Sequence, residues 1–230
     1  MVDQAFEALK TYDWGQDANV LKPIEEEINK MHADEDARTQ LEKRLNEALA
    51  SDISLDAKQM VCRYLRTAGT AASVPTLAGL LTDEKLSHMS RYALERIPDP
   101  AAAKALRDAL PKVNGDLKIG IISSLGQRGD NESVAALGEL VGDSDPGIAS
   151  AAAYALGAIR TPEAAKALSS AKPSKEAAGA AADAKLACAE SLLADGSKKE
   201  ALAIYKSLAG ADQPKHVRLA ATRGMLASNK

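Results

Sequence analysis

Apolar positions along the chain recur at helical spacing, and few segments alternate with the two-residue period of a half-buried strand. The most regular signal is a leucine followed by another twelve residues later: Leu65 and Leu77, Leu94 and Leu106, Leu125 and Leu137, Leu156 and Leu168. Successive copies step by 29, 31 and 31 residues. Each first leucine ends an apolar stripe with members eight before, one before and at the marker. Leu86, Ala93 and Leu94 show it, as do Ile148, Ala155 and Leu156, and such spacing puts them on one face of a helix. Each copy therefore predicts one helix ending near its first leucine and another centred near its second.

The copies also share sequence. YALERIPDPAAAKAL (92–106) and YALGAIRTPEAAKAL (154–168) agree at ten of fifteen positions. Breakers divide the helices: IPDPA, QRGDNE and IRTPE within copies, LTDE, PKVNGD and VGDSDPG between them. Asp83, Asp116 and Asp145 are N-cap candidates, because a carboxylate at that position accepts backbone N–H groups the helix leaves unpaired. Pro162 suits a first helical turn, where its missing N–H costs nothing. One helix pair cannot bury enough apolar surface to hold itself together, so each copy must offer the next the same surface.

The ends depart from this register. Residues 1–53 predict a helical cap of three helices, near 3–11, 17–32 and 35–50, with YDWG (12–15) turning between the first two. Residues 54–172 hold the four copies, and 173–230 form a C-terminal helical cap. The three are read as one continuous domain, all-α throughout.

Residues 143–168, DSDPGIASAAAYALGAIRTPEAAKAL, resemble a HEAT-type repeat of the short class also found in phycobilin lyases. The Asp-Pro turn, the Ala-rich helix and its Ala-Leu-Gly end carry the resemblance, which extends over about residues 54–172. The arginine usual early in that helix is missing; Ala149 or Ser150 stands near its place. The resemblance implies a right-handed α-solenoid with one layer of helices lining its concave side. Residues 186–214, LACAESLLADGSKKEALAIYKSLAGADQP, look like a tetratricopeptide-style hairpin, with Ala201, Tyr205 and Pro214 near that family's marked positions. Its leading Trp and Leu-Gly-x-x-Tyr elements are absent. The whole chain also resembles HEAT-repeat proteins of planctomycete-type bacteria, which commonly carry an export leader.

Composition supports the helical reading. Of 230 residues, 46% are apolar and only 3% aromatic, and the dominant alanine and leucine lose little side-chain entropy in a helix. The net charge is −3. Residues 1–60 carry 14 acidic and 7 basic side chains, so the first quarter is acidic and the rest mildly basic. Neither part has the charge that captures nucleic acid over a wide surface, so no nucleic-acid partner is expected. No run approaches the length that spans a membrane. The first residues lack the basic and apolar regions of a leader. A cytoplasmic protein is expected if Met1 is native, an exported one if a leader preceded it.

Chemical motifs are scarce. Cys62 and Cys188 stand 126 residues apart in apolar helical stretches and read as small buried thiols. His32, His88 and His216 are each separated by a repeat or more, too far for joint ligation, so no metal and no organic cofactor is expected. SSAK (169–172) contains Ser-x-x-Lys without any companion motif, and NES (131–133) is a formal sequon. EEE (25–27) spreads around a helix and reads as a solvated face. Trp14 reads as a plug on the end of the core, with Tyr12 beside it.

The remaining expectation is a non-enzymatic scaffold that binds another protein or peptide in its groove. If the helices ending on the marker leucines line that groove, the residues two before each marker form a ladder: Arg63, Tyr92, Ser123 and Tyr154. Lys58, Arg66, His88, Arg91, Glu95 and Lys118 stand close to it. Its early half is cationic and carries Tyr92, an Arg–Tyr mixture enriched at binding hot spots. Towards the later copies it becomes small and neutral, through Ile122, Gly126, Ala153 and Gly157, as helix packing also requires. The resemblance allows two alternatives, a tetrapyrrole-handling lyase and a HEAT-like enzyme acting on nucleic acid.

Overall fold

The computed structural model describes residues 1–30 and 34–228; His32 lies outside the described residues. The fold is all-α, as expected: among the described residues there are fourteen α-helices, short 3-10 segments and no strand. The chain divides into two compact units, Met1–Val113 and Asn114–Lys230.

In the first unit, α1 (Val2–Leu9) and a 3-10 turn (Ala18–Leu21) lead into α2 (Lys22–Lys30), followed by α3 (Glu35–Ala50), α4 (Leu55–Ala68), α5 (Val74–Ala78), α6 (Ser87–Leu94) and α7 (Pro100–Ala109). Helices α2, α4 and α6 pack each against the next in one layer, and α3, α5 and α7 do so in a second. The predicted 17–32 helix thus begins as a 3-10 turn. Asp17 causes this by accepting the Asn19 N–H at 3.0 Å, which caps the tighter turn first.

The second unit repeats the plan. Helices α8 (Gly115–Arg128), α10 (Pro146–Ile159), α12 (Ala178–Ala194) and α14 (Lys215–Ser228) form one layer, with α9 (Val134–Leu140) packed on α11 (Pro162–Ser170) beside it and α13 (Lys198–Leu208) between α12 and α14. All eight marker leucines have no solvent exposure, so the twelve-residue pairs are the spine of both layers.

Caps set the helix limits. Asp145 accepts the Gly147 N–H at 2.8 Å and the Ile148 N–H at 3.3 Å, with Pro146 at the first helical position. Asp83 does not occupy the cap position of α6, which is Leu86; it accepts the Lys85 and Leu86 N–H groups in the turn before it. Asp116 is a correction: Asn114 occupies the cap position and Asp116 lies in the first turn of α8, where a negative charge still meets the positive end of the helix dipole. Helix α8 ends on Gly129 with φ +64°, a left-handed residue that lets Asp130 N–H reach back to the Leu125 carbonyl. Arg160 holds the same register after α10 and adopts the same conformation at φ +58°.

Trp14 is the larger correction. It does not plug the core but is 87% exposed, whereas Tyr12 is the aromatic turned inward. The Ser54 hydroxyl, which also caps α4, donates to the Tyr12 carbonyl at 2.5 Å. That bond draws residue 12 inward, and the turn that follows carries Trp14 out to solvent. Both cysteines are buried, as expected.

Candidate functional site

The first unit carries a cleft between α4 and α6. Arg63 and Arg66 stand three apart on α4, and His88, Met89 and Tyr92 face them from α6, enclosing about 320 Å³. The Arg66 guanidinium lies over the Tyr92 ring, 4.4 Å from its centroid, so the cation is attracted to the negative ring face. This leaves the Arg66 Nε–H buried without a hydrogen-bond acceptor among the described residues. Arg63, His88 and Tyr92 are exposed, Tyr92 by 38%. Four of the nine residues singled out in the sequence are therefore brought together.

The others lie around it or elsewhere. Arg91 is half-buried; burial lowers its guanidinium from the usual range and the charge of Glu95 opposes that fall. Lys58 precedes Arg63 by five residues, which at 100° per residue places it about 140° around the α4 axis. Lys118 on α8 and Tyr154 on α10 belong to the second unit. Tyr154 is 57% exposed, but Ile122, Gly126, Ala153 and Gly157 are buried. The small, neutral half of the strip is thus helix packing.

A second cavity, about 390 Å³, adjoins the first through a shared residue. Tyr12, Trp14, Gly15, Gln16, Asp56, Gln59, Met60 and Arg63 line it. The ladder reading missed this one because it tracked a single position per copy. Gln59, Arg63 and Arg66 nevertheless fall at i, i+4 and i+7 on α4, a helical stripe visible in the sequence.

Nothing in the described residues resembles a metal centre: no group of three or more His, Cys, Asp or Glu side chains is placed to hold an ion. His216 lies 3.2 Å from Asp183, an exposed ion-pair geometry between α14 and α12. Among the described residues, no helix is long and apolar enough to cross a membrane.

No curated protein matches the chain. Among solved structures, an engineered protein determined by a structural genomics consortium is 17% identical with a TM-score of 0.49, covering 99% of this chain and 68% of its own. Human deoxyhypusine hydroxylase, solved with glycerol, is 16% identical with a TM-score of 0.37, covering 99% of this chain and 96% of its own. Similarities this low carry no argument about function. The family comparison is more specific, and it falls where the copies are most regular: from the end of α7 to the middle of α12, residues 109–185, the chain matches the family of HEAT repeats.

Proposed function

We propose that this chain is a non-enzymatic interaction module whose α4–α6 face docks an acidic segment of another protein. One observation carries the reading: Arg63, Arg66, His88 and Tyr92 surround a single open cleft. A carboxylate entering the cleft meets two guanidinium-bearing side chains, Arg63 and Arg66. Guanidinium groups suit the task because they bind carboxylates in a fixed fork. The match of residues 109–185 to HEAT repeats supports an interaction role for the chain in general, since stacked helix pairs present extended binding surfaces.

The test is binding of a glutamate-rich peptide, followed by fluorescence anisotropy, to the wild type and to Arg63→Glu with Arg66→Glu. Wild-type binding should weaken with added salt, and the double variant should bind at least tenfold more weakly. Equal binding by a folded double variant removes the cleft from consideration.

A further inference from the structure

Trp14 is the chain's single tryptophan and stands 87% exposed, yet the turn that holds it is tied down. The Trp14 N–H donates to Asp13 Oδ1 at 2.9 Å, the Gln16 N–H to the Asp13 carbonyl at 3.2 Å, and Gln16 Nε2 to the Thr11 carbonyl at 3.3 Å. Gly15 takes φ +81°, a conformation that suits glycine. Ser54 fixes the turn to the start of α4 through the Tyr12 carbonyl. The turn fixes the backbone beneath the indole, so covering it orders only two side-chain torsions. That property makes rigid aromatics effective anchors.

Met60 and Arg63 share the Trp14 cavity, and Arg63 also lines the Arg66–Tyr92 cleft. The two cavities therefore meet at Arg63, with Tyr12, Trp14 and Met60 beside Gln16, Gln59 and the Asp56 carboxylate on one side and the arginine pair on the other. From Gln59 to Arg66 the α4 axis advances about 10 Å at 1.5 Å per residue. An extended peptide covers that distance in about three residues.

We infer that the Trp14 cavity is the anchoring half of a two-part peptide site, and that the ligand is an extended segment with one aromatic or large aliphatic residue at the Trp14 end and its carboxylates at the arginine end, away from Asp56. That residue packs between Trp14 and Met60. One or two carboxylates, about two to four positions away, reach Arg63 and Arg66. The inference rests on the reading of the α4–α6 cleft as a docking face and adds the anchor that would give it selectivity. Charge alone would accept any acidic segment.

The experiment is selection of displayed random peptides, roughly twelve residues long, on the whole chain, followed by titration of the labelled enriched peptides by fluorescence anisotropy for every variant, with Trp14 emission followed in the wild type. The expected consensus pairs an apolar anchor with acidic residues at fixed spacing. Its binding should shift Trp14 emission to the blue. Trp14→Ala should weaken it at least tenfold, Trp14→Phe should restore most of the affinity, and Arg63→Glu with Arg66→Glu should abolish it. Circular dichroism checks that each variant folds.

Acidic peptides with no apolar position, bound equally by Trp14→Ala, would overturn the anchor and leave the cationic cleft standing. Peptides that depend on Trp14 but ignore the arginine pair would overturn the two-part site and the acidic reading together. Enrichment of no peptide would overturn both.

Discussion

A Cβ placed on Gly126 of α8 would lie 2.7 Å from the Cα of Ala155 on α10. No carbon atom tolerates that approach, so the two helices meet through the missing side chain. Gly157 repeats the relationship one copy later, where a Cβ would lie 2.9 Å from the Cα of Ala184 on α12. Both glycines sit one residue past a marker leucine. In α4 the same register holds Arg66, too large for that approach, and its side chain lies over Tyr92 instead. One position in the repeat thus closes the layer in the second unit and lines a cleft in the first.

Gly126→Ala should therefore destabilise the protein by about 1–3 kcal/mol, the usual cost of overpacking a tight contact. Gly179→Ala is the control, because a Cβ there meets nothing within 4 Å near the start of α12. It should be neutral or stabilising by up to about 1 kcal/mol. Urea denaturation of the three proteins decides: similar midpoints for both variants would refute the close-approach argument.

Glu42 supports a second prediction. Its carboxylate is 4% exposed and accepts the Thr70 N–H at 2.6 Å, the Thr70 hydroxyl at 2.9 and 3.0 Å and the Ser73 hydroxyl at 2.6 Å. These donors open the 3-10 turn before α5, so one side chain on α3 sets the entry to the next pair. Glu42→Ala takes the acceptor from a buried Ser73 hydroxyl and a half-buried Thr70 and should cost about 2–4 kcal/mol. Thr39→Ala, whose exposed hydroxyl only returns to the Glu35 carbonyl, should change stability by less than about 0.5 kcal/mol. Equal effects in thermal melts would show that the Glu42 network contributes nothing special.

The leucine spine was legible because burial of a helix face imposes a period, and a period survives in one sequence. Asp145, Pro162 and the two buried thiols were legible for a similar reason: each is decided by its immediate neighbours. Glu42 was not, since its partners lie 28 and 31 residues away and nothing local distinguishes it from a solvated glutamate on α3. Trp14 was misread because its exposure depends on which aromatic of the turn Ser54 draws inward, a contact 42 residues distant. That Arg63 and Tyr92 share a cleft followed from repeat register, whereas the part played by Trp14 and Met60 needed the second cavity to be seen. Local rules located the elements; contacts between elements located the site.

The buried thiols give a prediction in pH. Burial pushes Cys62 up from its ordinary 9.0 to about 12. Cys188, whose Sγ lies 3.7 Å from the Leu156 carbonyl, rises to about 11. In the unfolded chain both thiols ionise near pH 9, while in the folded protein they keep their protons. The folded state then binds more protons than the unfolded one, and stability must fall as pH rises. The full contribution is present below pH 9. It is lost between pH 9 and about 11 for Cys188, and between pH 9 and about 12 for Cys62. The limiting slope is about 1.4 kcal/mol per pH unit for each thiol. A variant with Cys62→Ala and Cys188→Ala loses some packing at neutral pH but has no thiol to ionise. Its stability, measured by urea denaturation from pH 7 to roughly pH 10.5, should fall less steeply above pH 9 than that of the wild type. Parallel curves would mean that the thiols do not govern the alkaline limit. At neutral pH the same shift keeps both groups as unreactive thiols, so alkylation by iodoacetamide should proceed only as fast as the protein opens.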